Sequence, residues 1–168
     1  MFTPVEIYAL AVKIEENGGQ YYQLAASKVA DPALRELLHW LADQEERHRG
    51  TFMRIQTDLE RNRKEEPQLM DIASDVLKEA VGSHTFSLEE ADLSKVGDKV
   101  QMLEVAIGFE EDSIQFYEII GGFISEPDSL IAIQEIRMEE VQHMRLLREK
   151  VTELQADRFR TNSGERNG

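Results

Sequence analysis

The residues with the clearest chemical potential are two Glu-x-x-His pairs, Glu45 with His48 and Glu140 with His143. Residues three apart are neighbours on one face of an α-helix, so each pair would present a carboxylate beside an imidazole. Such groups bind transition-metal ions. One pair alone is weak evidence, because glutamate accounts for 23 of the 168 residues and chance pairs are common. The significance of the two pairs therefore depends on their surroundings.

An internal repeat relates the two pairs. When the sequence is shifted by 95 residues, the first pair falls on the second without a gap. The same shift superposes other polar, aromatic and turn residues: Ala11 on Ala106, Glu15 on Glu110, Glu16 on Glu111, Gln20 on Gln115, Tyr22 on Tyr117 and Pro32 on Pro127. The identities between segments 11–48 and 106–143 are concentrated in glutamate, tyrosine and histidine, whereas a repeat retained for packing alone would preserve apolar residues. The repeat therefore predicts one site built from both halves.

A third pair, Glu36 with His39, behaves differently. Its counterparts after the same shift are Ile131 and Gln134, neither of which preserves the pattern. His39 precedes His48 by nine residues, which is about 900° of helical rotation, so the two imidazoles point to opposite faces. We interpret Glu36 and His39 as surface or interface residues.

Helices are predicted to position these side chains. Thr3 and Pro4 form a cap followed by proline at the first helical position, and Asp31 with Pro32 ends one helix and caps the next. Four helices are predicted. The first begins at Pro4, and the second begins at Pro32 and fades within 61–67. The third runs from about Lys95, with Ser94 as its cap, to Gly121, and the fourth covers 127–157. The other predicted segments are a mixed stretch over 65–94, a candidate short helix at 68–81 within it, and a flexible tail over 158–168.

The glutamates and histidines fall on the apolar stripes of these helices. The first pair lies between Leu41 and Phe52 at helical spacing, and the second lies between Ile136 and Leu147. Burying an unpaired carboxylate costs several kcal/mol. Because the stripes supply no lysine or arginine, a metal ion is the expected partner.

Hairpin geometry brings the stripes to one level. Glu15 lies 16 residues before Asp31, and Glu45 and His48 lie 14 and 17 residues after it. The second half repeats these offsets about Glu126. Since helices rise by about 1.5 Å per residue and pack about 8–10 Å apart, four helices can converge on one centre. One glutamate from each of two helices plus Glu-x-x-His from each of the others is the ligand set of di-iron carboxylate bundles. The predicted ligands of iron, or alternatively manganese, are Glu15, Glu45, His48, Glu110, Glu140 and His143.

Two tyrosines accompany the predicted ligands. Tyr22 and Tyr117 each follow a ligand glutamate by seven residues, about two helical turns. Ordinary core packing explains this position, and so does donation of the hydroxyl to a ligand carboxylate on a neighbouring helix. Both interpretations stay open at this point.

Composition excludes several classes of function. The net charge of −14 argues against binding to nucleic acid or to an anionic membrane through a basic surface. The absence of cysteine excludes disulfides, zinc ribbons and thiolate-held iron. No run of 18 apolar residues and no signal peptide is found, so we expect a cytoplasmic protein that does not span a membrane.

Four segments carry a resemblance to a known family: IEENGGQYY, DQEERHRG, FEEDSIQFY and EEVQHMRLL. They resemble the four ligand helices of the rubrerythrin group in the ferritin-like superfamily, and the resemblance covers residues 4–155. It implies an all-α, ferritin-like antiparallel four-helix bundle over 1–157, with a long crossover between the second and third helices. It also implies that the six predicted ligands hold two iron ions, with Glu45 and Glu140 bridging them.

The sequence departs from rubrerythrins that reduce hydrogen peroxide. Those proteins carry a rubredoxin domain with four cysteines, and a further glutamate one turn after the ligand of the third helix. This chain has no cysteine and has Ser113 at that position. The comparison implies a separate electron-donor protein and leaves peroxide reduction open.

Three functions compete at this point. The first is an oxidoreductase that reacts with dioxygen or hydrogen peroxide, with Glu15 and Glu110 as terminal ligands that are free to shift. The second is a ferroxidase that stores or delivers iron. The third is a helical scaffold whose metal is structural. Rubrerythrin-like chains are more often dimers than cages, so the resemblance favours a homodimer.

Overall fold

The described chain is entirely helical. The computed structural model describes residues 3–61 and 98–164, with side chains described as far as 160. Four helices occupy these ranges: α1 (Pro4–Lys28), α2 (Pro32–Arg61), α3 (Lys99–Gly121) and α4 (Pro127–Gly164). Over the same ranges there is no strand, which confirms the all-α class. Across 3–61 and 98–164, no helix has both the length and the apolar character needed to cross a membrane.

The predicted starts of α1 and α2 are confirmed by their caps. The Thr3 hydroxyl accepts from the backbone N–H of Glu6 at 3.2 Å, and the Glu6 carboxylate accepts from the backbone N–H of Thr3 at 2.8 Å. This reciprocal capping box encloses the first turn of α1, which begins with Pro4. The Asp31 carboxylate accepts from the N–H groups of Ala33 and Leu34 at the start of α2.

The start of α3 differs from the prediction. The helix begins at Lys99 rather than Lys95, because Asp98 has extended backbone angles and caps it. The Asp98 carboxylate accepts from the backbone N–H groups of Val100 and Gln101 at 2.8 and 3.0 Å. Aspartate at this position satisfies donors that the helix leaves unpaired. The predicted cap, Ser94, lies outside the described residues.

The end of α4 also differs, because the helix continues to Gly164 instead of ending at Asp157. Between Pro127 and Gly164 the sequence contains no glycine or proline to interrupt it. The guanidinium of Arg158 pairs with the Asp98 carboxylate at 3.0 Å, which ties the last turns of α4 to the start of α3. The first seven residues of the predicted tail are therefore helical.

Two hydrophobic clusters fill the bundle on either side of the predicted ligands. The first cluster contains Tyr21, Tyr22, Ala25, Ala26, Val29, Leu34, Leu38, Leu41, Ala42, Met102, Leu103, Ala106 and Leu147. The second cluster contains Ile7, Tyr8, Ala11, Ile14, Phe52, Phe116, Tyr117, Ile120, Ile133 and Ile136. Every helix contributes residues to both clusters. Along each helix, the predicted ligands lie between the residues of the first cluster and those of the second. The ligands thus form a polar layer across an apolar bundle.

The order of the clusters along each helix gives the topology. α1 and α4 run from the second cluster to the first, whereas α2 and α3 run from the first to the second. Since α2 and α3 share a direction, the connection between them must join opposite ends of the bundle, as the predicted crossover requires. The connecting residues 62–97, including the candidate helix at 68–81, lie outside the described part of the chain.

Candidate metal centre

The structure brings all six predicted ligands into one buried layer. Each side chain comes from the middle of a helix, one from α1, two from α2, one from α3 and two from α4. Glu140 is fully buried, and none of the other five is more than 4% exposed. Four carboxylates and two imidazoles therefore share a volume from which the hydrophobic clusters exclude water.

The six side chains form two overlapping groups, each able to surround one ion. Glu15, Glu45, His48 and Glu140 form the first group, in which one ligand atom from each lies within 4.8 Å of the others. The second group contains Glu45, Glu110, Glu140 and His143 within the same distance. Glu45 and Glu140 belong to both groups. This arrangement suits two cations that share two carboxylates, and it matches the bridging roles that the resemblance implied for these two residues.

Both histidines present Nδ1 to the carboxylates. His48 Nδ1 lies 2.8 Å from Glu140 Oε1 and 3.4 Å from Glu15 Oε2. His143 Nδ1 lies 2.9 Å from Glu140 Oε2 and 3.6 Å from Glu45 Oε1. The two imidazole rings stack with their centroids 5.7 Å apart and an interplanar angle of 18°. Nδ1 is thus the nitrogen that each histidine would offer to a metal ion.

Sequence reasoning missed Glu139, which contacts the outer nitrogen of His48. Its Oε2 atom lies 2.9 Å from His48 Nε2, within hydrogen-bonding distance. When Nε2 carries the proton and donates it to Glu139, the lone pair of Nδ1 faces the other carboxylates, an arrangement common among metal-bound histidines. The only sequence signal was that Glu139 directly precedes a predicted ligand.

The two halves differ at this position. The repeat counterpart of Glu139 is Gln44, which precedes Glu45 and is 8% exposed. The Arg47 guanidinium donates to Gln44 Oε1 at 2.6 Å and lies 3.4 Å from Glu139 Oε2. The carboxylate of Glu139 therefore lies behind His48, whereas the repeat counterpart of Glu139 carries a neutral amide.

The two tyrosines both pack in the core and donate hydrogen bonds to candidate ligands. The Tyr22 hydroxyl of α1 donates to the Glu110 carboxylate of α3, and the Tyr117 hydroxyl of α3 donates to the Glu15 carboxylate of α1. Each tyrosine also packs in a hydrophobic cluster, so both interpretations of the sequence hold. The two bonds are related by the internal repeat. They restrain the two glutamates that belong to only one group each.

Keeping four ionised carboxylates in this buried layer is electrostatically unfavourable. Burial raises the pKa of Glu45, Glu110 and Glu140, and the charges of neighbouring glutamates raise it further. For His48, burial acts against the protonated form, but the adjacent Glu140 and Glu15 carboxylates outweigh it and raise the pKa to about 11. For His143, burial dominates and lowers the pKa. The metal-free layer therefore needs protons to compensate its charge.

The donor set fits two divalent ions. Two carboxylate oxygens, Glu15 Oε2 and Glu45 Oε1, are buried without a hydrogen-bond partner. Among the described residues, no lysine or arginine is buried. Four ionised carboxylates and two dications together carry no net charge, so such a pair of ions would compensate the layer fully. Iron and manganese accept this mixture of carboxylate and imidazole ligands.

Gly18 provides space for one of the shared carboxylates. A Cβ atom at this position would lie 3.0 Å from Glu45 Oε2, closer than nearly all real Cβ contacts. The repeat counterpart of Gly18 is Ser113, which is 6% exposed and donates its hydroxyl to the Phe109 carbonyl of its own helix at 3.0 Å. The absence of a side chain at position 18 thus lets α1 approach the carboxylate of α2.

Two other sequence interpretations can be compared with the structure. Glu36 and His39 are exposed and belong to neither group, in agreement with their assignment to the surface. Trp40, interpreted as core or interface filler, is 43% exposed, and its ring meets the His143 ring edge-on with centroids 5.4 Å apart. The chain's single tryptophan therefore lies beside the candidate centre.

We predict that Gly18→Ala weakens metal binding without unfolding the protein. The added methyl group would displace the Glu45 carboxylate by a few tenths of an ångström, and we expect a loss of about 10-fold in cobalt affinity. Gly50→Ala and Gly108→Ala are matched controls, because a Cβ at either position meets nothing within 4 Å. Both controls should raise stability by about 0.5–1 kcal/mol. Cobalt titration and thermal melting measure these effects, and an unchanged affinity in Gly18→Ala contradicts the steric argument.

We predict that Glu139→Gln weakens metal binding by about 10-fold or more, because the amide no longer provides an anionic acceptor behind His48. Glu135→Gln is the control, since Glu135 is an exposed glutamate one turn earlier on α4. Cobalt titration followed by absorbance compares the two variants. If both bind cobalt as the parent does, Glu139 does not orient His48.

We predict that metal binding releases protons and strengthens as the pH rises. Because the pKa of Glu45, Glu110 and Glu140 is raised, the metal-free centre retains protons where exposed carboxyl groups are ionised. A bound ion requires the ionised ligands and displaces those protons. Titration calorimetry in two buffers with different heats of ionisation measures the number released. Binding without proton release would show that the carboxyl groups are already ionised in the metal-free protein.

Comparisons with known proteins agree with this geometry. The family model described as Rubrerythrin matches residues 6–151. A solved structure from Thermotoga maritima, described as a ferritin-like diiron-carboxylate protein, matches with a TM-score of 0.68 and 21% identity, covering 90% of this chain and 96% of that one. At this identity the match shows that the fold is shared. A comparison with curated proteins found no match. The family match spans most of the chain, and the chain therefore belongs to the rubrerythrin family.

Proposed function

We propose that this protein is a di-iron oxidoreductase that reduces hydrogen peroxide or dioxygen with electrons from a separate donor protein. The observation that supports this proposal is the pair of overlapping ligand groups, which share Glu45 and Glu140 in a buried layer. Manganese takes six ligands in octahedral sites, and non-haem iron sites keep open positions beside their protein ligands. Each group here supplies four residues, which would leave positions at which an oxidant can bind.

The residues would divide between the two ions according to their groups. Glu15 and His48 would hold one ion, Glu110 and His143 the other, and Glu45 and Glu140 would bridge them. When bound, a pair of iron ions supplies one electron from each ion to an oxidant. Manganese fits the same donors and is the alternative. The description of the Thermotoga maritima protein as a diiron-carboxylate protein agrees with this proposal.

The surrounding residues support a centre that changes charge during a reaction. Glu15 and Glu110 each belong to one group only, so either carboxylate can shift without disturbing both ions. The hydroxyls of Tyr117 and Tyr22 donate to these carboxylates and provide a partner for each in the positions observed. Reduction of peroxide to water consumes two electrons and two protons. The chain has no cysteine to carry a further redox group, so the electrons would come from a separate donor protein.

Ser113 bears on the choice of oxidant. In peroxide-reducing rubrerythrins this position carries an additional glutamate, whereas here the serine hydroxyl is bonded to its own helix. The proposal therefore includes both hydrogen peroxide and dioxygen, and the relative rates with the two decide between them. We further propose that the protein is a homodimer, as its family suggests.

Metal analysis of protein purified without chelator provides the first test. We expect two iron ions per chain in the parent and none in Glu45→Ala/His48→Ala, because that variant removes a shared carboxylate and an imidazole. The chain offers a matched control in Glu36→Ala/His39→Ala, which alters the same residue types at the same spacing on an exposed face. The control should retain the parent's iron. No metal in the parent, or equal loss in both variants, contradicts the assignment of the centre.

Rapid mixing provides the test of the reaction. Anaerobic ferrous protein is mixed with hydrogen peroxide or with dioxygen, and oxidation is followed by absorbance beside ferrous iron free in solution. We expect faster oxidation by protein-bound iron with at least one of the two oxidants. Oxidation no faster than that of free iron, together with unfolding after iron removal, would instead support a structural metal.

Light scattering separates the proposed oxidoreductase from an iron store. We expect a mass near twice the 19.3 kDa of one chain. A cage of many copies would instead support ferroxidation with storage.

A further inference from the structure

The buried centre requires a route for its ions. All six candidate ligands are at most 4% exposed, so an ion from solution must pass between helices to reach them. One groove on the described surface, of about 740 Å³, lies between α1 and α2 and includes the candidate ligand Glu15 in its lining. We propose that this α1–α2 groove is the entrance through which hydrated divalent cations, ferrous iron among them, reach the centre. The inference rests on the proposed function.

The chemistry of the α1–α2 groove suits a hydrated cation. Besides Glu15, its polar lining includes three carboxylates, two amides and one guanidinium, from Glu16, Asp43, Glu46, Gln20, Gln23 and Arg49. Four carboxylates against one guanidinium give the lining a net charge of −3 when all are ionised. Oxygen atoms are the ligands that hard divalent ions prefer. A concave acidic surface of this kind raises the local concentration of cations.

The cations near the groove do not cancel its charge. Arg49 donates to both oxygens of Glu46, at 2.7 and 2.8 Å, so this guanidinium is already engaged. Lys13 pairs with Glu16 at 3.0 Å, but both side chains are more than 40% exposed and the pair is screened by water. Asp43 is exposed and forms no salt bridge with a described residue. The field of the groove therefore remains negative.

The inner end of the groove carries an unsatisfied ligand. The side chain of Glu15 is fully buried, and its Oε2 atom has no hydrogen-bond partner. This oxygen lies 3.4 Å from His48 Nδ1, so Glu15 connects the groove lining to the first ligand group. An ion that reaches Glu15 through the groove has already met its first permanent ligand.

Gly19 connects the groove lining to one of the shared glutamates. It lines the groove, and a Cβ atom at this position would lie 3.5 Å from Glu45 Cβ. Gly19 therefore lies both in the groove lining and against the side chain of Glu45, a residue shared by both groups. A second surface cavity, of about 420 Å³ between α2 and the start of α4, is lined by none of the six candidate ligands. Its position offers no comparable access.

The test compares two variants with the same change in net charge. The groove variant is Glu16→Gln/Asp43→Asn/Glu46→Gln, which leaves all six ligands unchanged. The control is Glu104→Gln/Glu118→Gln/Glu135→Gln, which neutralises exposed carboxylates on α3 and α4. The probe is Co²⁺ alone, and quenching of the Trp40 fluorescence reports its arrival, because this ring packs against His143. Cobalt absorbance at equilibrium gives the stoichiometry.

At low ionic strength, we expect the rate of cobalt binding to fall about 10-fold in the groove variant and to stay near the parent's in the control. The difference should shrink toward about 1 M salt, where screening acts over roughly 3 Å. Both variants should bind as many cobalt ions as the parent.

Three results would overturn the proposal: equal rates in the parent and the groove variant, equal slowing in both variants, or fewer cobalt ions bound by the groove variant. The last result would make the groove carboxylates ligands instead of an entrance. A parent that binds no cobalt contradicts the metal centre itself, so the two proposals fail in distinguishable ways.

Discussion

The central constraint on this fold is the concentration of four carboxylates in a layer that excludes water. Burial raises the pKa of three of them, Glu45, Glu110 and Glu140, and no buried lysine or arginine on the described chain compensates their charge. Such a layer is costly unless protons or metal ions neutralise it. The two hydrophobic clusters on either side supply the stabilising burial that the layer itself lacks. The fold is therefore an apolar bundle that holds an electrostatically costly polar layer in place.

The internal repeat produces a centre whose two halves are similar but not equivalent. The crossed hydrogen bonds from Tyr22 to Glu110 and from Tyr117 to Glu15 preserve the relation between the halves. Other repeat positions break it, most clearly where Gln44 corresponds to Glu139. A carboxylate behind one imidazole makes that histidine a stronger donor than one without it. The two ligand groups therefore differ in their surroundings even though each consists of three glutamates and one histidine.

Much of the centre could be predicted from spacing. The shift of 95 residues and the equal offsets about Asp31 and Glu126 placed six residues at one level, since helical rise and hairpin packing are nearly constant. Glu139 escaped prediction because its role depends on contact with His48 on another helix, and an acidic chain offers many similar glutamates. The start of α3 was misplaced because Ser94 and Asp98 are both acceptable caps, and local sequence does not choose between them. The extension of α4 is compatible with the sequence, which has no glycine or proline before Gly164, and Arg158 of the added turns pairs with Asp98 across the bundle.

The sequence by itself determined the helical class, the identity of the candidate ligands and the exclusion of Glu36 and His39, because each follows from periodicity along one helix or from comparison of the two halves. Only the tertiary structure decided which nitrogen of each histidine faces the carboxylates, that Glu139 lies beside His48, and which surface groove includes a candidate ligand in its lining. These properties depend on distances between side chains of different helices. Such distances arise from the close approach of α1 and α2 at Gly18 and Gly19 and from the packing of both clusters. No pattern along a single helix encodes them.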